Sequence, residues 1–260
     1  MARYKMIIAY DGSRFSGWQA QKNAKTVAGA INETLSALYK QSVSVYGSGR
    51  TDSGVHAIGQ VAHCDLDSTP SLNDINKALS HGIRIRSLEK ADARFHARHH
   101  ATARSYVYQL STIKPLFVNK YVWSVDKDIS LTSLQKGLHE VQGFHDFASF
   151  SAEKDSSVST EVHLYNASFE RYEDGIILRF VGSHFLRSMV RRLVGTLVAM
   201  SCDEITYEQL QNCLNTVSPI PSRFTAPPDG LFLENVWYTK PIEVPVTIEP
   251  PLSSSWKKIY

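Results

Sequence analysis

The chain has 260 residues, of which 43% are hydrophobic, and it carries a formal net charge of +3. This length allows one large domain or two small ones, and the composition is typical of a globular protein with a sizeable core. No apolar run reaches the roughly 20 residues that a membrane-spanning helix needs, and the N-terminus lacks the apolar segment of a secretory signal. Its three widely spaced cysteines argue against a disulfide framework, so we predict a cytoplasmic protein.

The first hundred residues predict the element order β-α-β-β-α-β. Tyr4–Tyr10 has large apolar residues at every second position, namely Tyr4, Met6, Ile8 and Tyr10, which predicts a strand with these side chains on one face. Thr26 and Ser71 are suitable helix caps that precede apolar residues at helical spacing. The remaining predicted strands of this half are Val43–Tyr46, Ile58–Cys64 and Ile83–Leu88.

The same order recurs in the second half, with insertions. Asp174-Gly175 lies between two strand-like runs and indicates a hairpin. The predicted helices are Leu131–Val141, His184–Met200 and Leu210–Leu214, and the predicted strands are Ser105–Ser111, Val162–Phe169, Ile176–Val181 and Leu231–Tyr238. The repeated order is that of ferredoxin-like α+β domains. We therefore predict an N-terminal α+β half at 1–104, a C-terminal half at 105–240, a cleft between them and an extended tail at 241–260.

The stretch Gly47–His56 contains three glycines between two strand-like runs, and it holds Asp52 on a loop. Loops on rigid scaffolds often present catalytic groups, although Asp and Gly are also ordinary turn residues. Asp52-Ser53-Gly54 matches the Asp-Ser-Gly triplet of aspartic proteases, but the chain lacks the second triplet that such enzymes need. The glycines do not form a phosphate-binding P-loop, because no Gly-Lys-Ser/Thr follows them.

Basic residues concentrate in two places, at 84–104 and at 187–192. Such surfaces suit a polyanion, but they are also compatible with solvated arginines on ordinary surface strands. His96, His99 and His100 have a spacing that allows metal binding. We predict no metal site, because acidic or cysteine partners are missing and the nearby arginines would repel a cation.

Six blocks of the sequence closely resemble the motifs of the tRNA pseudouridine synthase A family, in the family's order. They span nearly the whole chain, and the Asp52 loop matches the family's active-site loop. The blocks are Phe15–Gln19, Gly47–Ala57, Phe95–Arg98 with Ala103–Tyr108, Gly143–Phe150, Met189–Gly195 and Ala226–Leu231.

The resemblance implies the pseudouridine synthase fold, in which two α+β halves with joined antiparallel sheets surround a basic cleft, and it implies a homodimer. The implied reaction isomerises uridine at positions 38, 39 and 40 in the anticodon stem-loop of tRNA. It needs no cofactor, because no redox change occurs. Asp52 is implied to be the catalytic nucleophile. The alternative is a tRNA-binding protein or RNA chaperone with little catalysis.

The resemblance also assigns substrate contacts, each with a plainer interpretation. Arg191 would pair with the catalytic carboxylate, or it is a surface helix arginine. Tyr106 would stack on the target uracil, or it faces the core as Tyr108 does. Arg50 would fill the space that the flipped uridine leaves, or it binds a phosphate or forms a salt bridge within the loop.

Four further arginines are expected to contact tRNA phosphates, which position RNA without specifying its sequence. They are Arg84, Arg94, Arg98 and Arg104.

Two features depart from the family pattern. Arg187 stands where the family usually has an aromatic residue, and His99-His100 makes the central motif richer in histidine. Either departure could shift which uridines are modified.

Overall fold

The computed structural model describes residues 1–152, 157–216, 221–240 and 242. Within them the chain forms ten strands and five α-helices. The strands are β1 Ala2–Tyr10, β2 Tyr46–Gly47, β3 His56–Leu66, β4 Ile83–Lys90, β5 Ala103–Ser111, β6 Trp123–Ser124, β7 Gly143–Asp146, β8 Glu161–Tyr172, β9 Gly175–Gly182 and β10 Leu231–Trp237. The helices are α1 Val27–Tyr39, α2 Leu72–Ala78, α3 Leu131–Glu140, α4 Met189–Ser201 and α5 Tyr207–Asn215.

This is a mixed α+β fold, which confirms the predicted fold class. The chain divides into two compact units, and the first contains Met1–Thr102 together with Phe232–Lys240. The second contains Ala103–Leu231. The sequence placed the last strand with the C-terminal half, whereas the structure pairs β10 with β3 of the first unit. The predicted tail at 241–260 lies outside the described residues except for Ile242.

In the first unit, β1 lies between β3 and β4, and β2 pairs with β3. The predicted alternation of β1 is confirmed, because Tyr4, Met6, Ile8 and Tyr10 are its buried side chains. β10 adds to β3 in parallel, with Phe232 opposite His56. Gly59 permits this pairing, since a Cβ at that position would lie 2.0 Å from the carbonyl oxygen of Glu234.

The two helices of the first unit begin where their caps predict. The Thr26 side chain accepts a hydrogen bond from the Gly29 N–H and starts α1, and the Ser71 side chain accepts one from the Asp74 N–H and starts α2. Each cap satisfies a backbone donor that the first helical turn would otherwise leave without a partner. These local interactions explain why the starts of both helices are readable from sequence.

In the second unit, β5, β9, β8 and β7 form an antiparallel run, and β6 pairs with β5 in parallel. The predicted hairpin is confirmed, with Tyr172 opposite Gly175 across its turn. Both β6 and β7 were missed by the sequence analysis, because segments of two and four residues are too short to show an alternating pattern.

Helix α4 begins at Met189 rather than at His184. Ser188, which precedes it, has a left-handed backbone with φ of +57°, so the chain turns sharply there and residues 184–187 lie outside the helix. α4 is buried over most of its length, and it packs against α3 and α5. None of the helices in the described ranges has both the length and the apolar character needed to cross a bilayer.

Candidate active site

The Asp52 loop joins β2 to β3 in the first unit, and its ends are fixed by hydrogen bonds. Ser48 donates its backbone N–H to the carbonyl of Val61 and its hydroxyl to the side-chain oxygen of Gln60, at 2.7 Å in both cases. The amide of Gln60 donates to the carbonyl of Gly49 at 3.0 Å. The loop is therefore bound to the strand that follows it before it reaches Asp52.

Thr51 anchors the loop directly beside Asp52. Its hydroxyl lies 2.8 Å from the hydroxyl of Tyr10, and its carbonyl accepts the Trp18 N–H at 3.2 Å. Gly17 has a φ of +87°, and a Cβ there would lie 2.8 Å from the Thr51 carbonyl oxygen. The first motif, Phe15–Gln19, consequently packs against the Asp52 loop, and a residue with a side chain would not fit at Gly17.

A turn at 11–14 supports the other end of the loop. A Cβ on Gly12 would lie 2.0 Å from the carbonyl oxygen of Val55, so this approach also requires glycine. The Gly12 N–H donates to Nδ1 of His56 at 3.0 Å, and the His56 ring stacks on Phe232 at 4.7 Å. Phe232 belongs to β10, so a strand distant in sequence helps to hold the loop.

Asp11 lies at the start of this turn, with its carboxylate 3.4 Å from Nδ1 of His56. Burial raises the pKa of Asp11, but hydrogen bonds from Ser13 and Arg14 and the proximity of His56 outweigh it, so the pKa lies below its usual value. Asp11 is therefore ionised near neutral pH, and its role is to hold the turn beneath the Asp52 loop.

Asp52 is partly exposed, between the buried side chains of Thr51 and Val55. A turn with Gly54 at φ of +82° follows, closed by the Val55 N–H donating to the Asp52 carbonyl at 3.2 Å. Arg50 is exposed two residues earlier on the same loop. The backbone is thus rigidly held on both sides of a carboxylate that solvent can reach, which is the arrangement a catalytic group needs.

In the second unit, the sequence block Met189–Gly195 contacts the chain at 224–226, where the block Ala226–Leu231 begins. Arg191 on α4 donates Nε to the carbonyl of Ala226 at 2.8 Å, and the Ala226 N–H donates to the carbonyl of Arg191 at 3.0 Å. A Cβ on Gly195 would lie 1.6 Å from the carbonyl oxygen of Phe224. Gly195 therefore lets the chain at 224–226 contact α4, and the partly buried Arg191 side chain is held in one orientation.

Strand β5 holds the same segment from the other side. The Tyr108 hydroxyl donates to the Pro227 carbonyl at 2.8 Å, and the Gln109 N–H donates to the Gly230 carbonyl at 2.9 Å. Burial raises the pKa of Tyr108 well above its ordinary value, although the nearby Arg191 opposes this effect. Tyr108 is therefore a neutral structural tyrosine at physiological pH.

Tyr106 lies two residues earlier on β5, opposite Phe180 of β9. Its ring packs edge-on against Phe185, with centroids 5.0 Å apart and planes at 79°. Phe185 falls within the predicted helix His184–Met200, but residues 184–187 are not helical. Phe185 is thus a neighbour of Tyr106 that helical periodicity could not have found.

The predicted phosphate contacts differ in exposure. Arg84, Arg94 and Arg98 are exposed in the first unit, and Arg94 lies 3.7 Å from the carboxylate of Asp92. Arg104, in the second unit, is only 8% exposed, and its guanidinium donates to the Ser183 carbonyl at 3.3 Å. A phosphate contact is therefore easier to assign to the three exposed arginines than to Arg104, whose role stays a prediction.

The structure places Asp52, Arg50, Arg84, Arg94 and Arg98 in the first unit, and Tyr106, Arg104 and Arg191 in the second. The predicted pairing of Asp52 with Arg191 joins residues of different units and stays a prediction.

Sequence reasoning did not assign any role to Tyr10, Thr51 or His56 in supporting the loop. For Tyr10 a signal existed, since it is the last inward residue of an alternating strand.

Comparison with known proteins agrees with this arrangement of motifs. A family model described as tRNA pseudouridine synthase matches residues 6–101 and 138–239. A protein of an Exiguobacterium species named tRNA pseudouridine synthase A is 34% identical over 244 residues, which is 92% of this chain and 99% of the relative. A protein of Thermosipho africanus with the same name is 36% identical over 245 residues, covering 92% of this chain and all of the relative.

A third relative, from Protochlamydia amoebophila, is named tRNA pseudouridine synthase A 1 and is 37% identical over 245 residues, 90% of this chain and 96% of its own length. The family model covers both units, and these relatives align with the chain over nearly their full length. On this evidence the chain belongs to the tRNA pseudouridine synthase family.

Proposed function

We propose that this protein isomerises uridine to pseudouridine at positions 38, 39 and 40 of the tRNA anticodon stem-loop, with Asp52 as the nucleophile. The observation that supports this most strongly is the rigid loop that presents the partly exposed Asp52 carboxylate within the family's active-site motif. The reaction cleaves the bond between C1′ and N1, turns the uracil and joins C1′ to C5. Nothing is oxidised or reduced, so the reaction requires no cofactor.

The carboxylate of Asp52 attacks the substrate as a nucleophile or stabilises positive charge that develops at C1′. Either role requires the ionised form, which a nearby cation favours. Arg191 is our candidate for this cation. Its Nε donates to the Ala226 carbonyl, which fixes the plane of the guanidinium group.

Tyr106 stacks on the target uracil in this proposal, and its hydroxyl relays a proton when C5 replaces N1. Its ring is already held by Phe185 and by the pairing of β5 with β9. A ring that is fixed before binding loses little conformational entropy when a base stacks on it. Tyr106 is only 7% exposed, as its plainer interpretation as a core-facing residue expects, so its stacking role in this proposal is supported by its place in the family motif.

Arg50 enters the space that the flipped uridine vacates. Flipping a nucleotide costs a few kcal/mol in lost stacking, and the enzyme must replace those contacts. Arg50 suits this role because it is exposed and lies two residues from Asp52 on the same loop. In this proposal four further arginines contact tRNA phosphates, namely Arg84, Arg94, Arg98 and Arg104. We further propose that the protein is a cytoplasmic homodimer.

Incubation of the purified protein with unmodified anticodon-arm transcripts tests the proposal. We expect pseudouridine at positions 38, 39 or 40 without any added cofactor, detected by chemical mapping of the RNA. Tight tRNA binding without product would instead support the non-catalytic alternative and would contradict the enzymatic proposal.

Tyr10→Phe tests the support of the loop. Loss of the contact with the Thr51 hydroxyl should lower the free energy of unfolding by about 1 kcal/mol. It should also lower kcat by about tenfold, because small misplacements of a catalytic group are costly. Tyr4→Phe is the matched control, since Tyr4 is a buried tyrosine on the same face of β1. A kcat equal to that of the wild type in Tyr10→Phe would contradict the supporting role.

A further inference from the structure

The first unit carries a row of aromatic rings that the proposed reaction does not use. We define the histidine surface as Tyr46, His63, His96, His99 and His100. Tyr46 stacks on His63 with ring centroids 5.3 Å apart and 24° between their planes. His96 lies 4.7 Å from His63, and His99 lies 4.2 Å from His96.

Backbone hydrogen bonds hold two of these rings, His63 and His96, in place. Nδ1 of His63 accepts the Ala97 N–H at 3.2 Å, and Nδ1 of His96 accepts the N–H groups of Arg98 and His99 at 3.2 and 3.3 Å. A ring nitrogen that accepts a hydrogen bond carries no proton, so in this arrangement each ring is neutral and protonated on Nε2. The rings are therefore ordered before any ligand arrives.

The charges around the rings favour the same neutral state. Burial lowers the pKa of His63 to about 4, helped by His96 and by Arg3 of β1 and opposed by Asp65. Burial also lowers the pKa of His96, followed by the effects of His99 and Arg3. At neutral pH the two imidazoles at the centre of the row are thus uncharged aromatic groups beside cationic arginines.

Tyr46 and His99, at the two ends of the histidine surface, are more exposed than residues that only pack in the core. Tyr46 is 55% exposed although it is a large aromatic residue, and His99 and Arg98 are also exposed. In the part of the chain that the structure describes, no group of three or more His, Cys, Asp or Glu residues is arranged to hold a metal ion. His63 is only 3% exposed and stacks on Tyr46, so the exposed Tyr46 ring is the one that a planar ligand can stack on.

We propose that the histidine surface binds an unpaired RNA base other than the target uridine, which stacks on Tyr46, while Arg98 contacts the adjoining phosphate. Recognition of unpaired RNA characteristically combines aromatic stacking with nearby cations. β2 carries Tyr46 and leads into the Asp52 loop, so both sites belong to the same unit. This inference rests on the proposed function in taking RNA as the ligand.

Tyr46→Leu tests the proposal, because leucine keeps an apolar side chain and removes the ring. We expect about tenfold weaker binding of an unmodified tRNA transcript and of a single-stranded uridine hexamer, with binding of a short RNA duplex unchanged. The slope of log Kd against log salt should stay the same, since the ring contacts no phosphate. Tyr46→Phe should bind like the wild type, and His81→Leu is the control for loss of an exposed aromatic side chain elsewhere in the unit.

Arg98→Gln provides the complementary result. It should weaken binding of the same hexamer and reduce the salt slope by about 0.7, as expected for one lost phosphate contact to a single strand. Wild-type affinity of Tyr46→Leu for both tRNA and hexamer would overturn the proposal, as would an equal loss of duplex binding. If Tyr46→Leu melts at a markedly lower temperature, Tyr46→Met also removes the ring while keeping a longer apolar side chain, and the same outcomes apply to it.

These measurements separate the histidine surface from the proposed reaction. They record equilibrium binding, so the same series repeated with Asp52→Ala should show the same ratios between variants. Wild-type protein that binds tRNA and forms no pseudouridine would overturn the proposed function alone. Wild-type protein that forms pseudouridine while Tyr46→Leu binds normally would overturn the histidine surface alone.

Discussion

Asp52→Asn should abolish pseudouridine formation, with a loss of at least about 10⁴-fold in kcat, while tRNA affinity stays within about twofold. An amide has nearly the shape of a carboxylate, but it cannot attack the substrate or stabilise positive charge at C1′. The loop should keep its conformation, because Thr51, Val55 and Gly17 position it through backbone and buried contacts. The measurement is single-turnover kinetics on a saturating anticodon-arm transcript, together with a Kd for the same RNA.

The matched control is Asp67→Asn, which removes an exposed carboxylate paired with the N-terminal amine in the same unit. We expect wild-type turnover from it. Asp52→Ala should behave as Asp52→Asn does, which excludes an effect peculiar to the amide. Turnover within tenfold of the wild type in either Asp52 variant would show that another group carries the reaction.

Tyr106→Phe should lower kcat by roughly 10²- to 10⁴-fold, the usual contribution of a positioned proton donor or acceptor. Binding of tRNA should change little, because the phenylalanine ring keeps the contact with Phe185 and can still stack on a base. Rates are measured at saturating tRNA, and pseudouridine is quantified after complete digestion of the RNA.

Tyr108→Phe is the control for loss of a hydroxyl on the same strand. It should lower the melting temperature, because the Pro227 carbonyl loses its donor. The rate per folded enzyme should stay near that of the wild type. If Tyr106→Phe also turns over normally, the Tyr106 hydroxyl takes no part in the reaction and stacking remains as the residue's only role.

Features that depend on neighbours in the chain were readable from the sequence. Thr26 starts α1 through a bond to an amide three residues away, and the alternation of β1 predicted which of its side chains are buried. The hairpin at 172–175 followed from its turn residues. The Asp52 loop was found in the same way, since its glycines and its polar run form a local pattern.

Features that depend on partners far along the chain required the folded structure. The division into units was misread at β10, because its pairing with β3 joins residues about 175 positions apart and leaves no local pattern. The start of α4 was misread because residues 184–187 are apolar enough to extend the helical period, while Ser188 turns the backbone out of it.

The candidate site shows the same distinction between local and distant contacts. The resemblance of the Asp52 loop to the family's active-site motif indicated Asp52, but it could not reveal that Tyr10 contacts Thr51 or that Phe232 supports His56. Nor could it show that Phe185 packs on Tyr106 or that the Arg104 side chain is nearly buried. The amino-acid sequence thus indicated Asp52 as the candidate catalytic group. Packing between distant segments determined how firmly that group is held, because side-chain contacts depend on distance in space and not on separation in sequence.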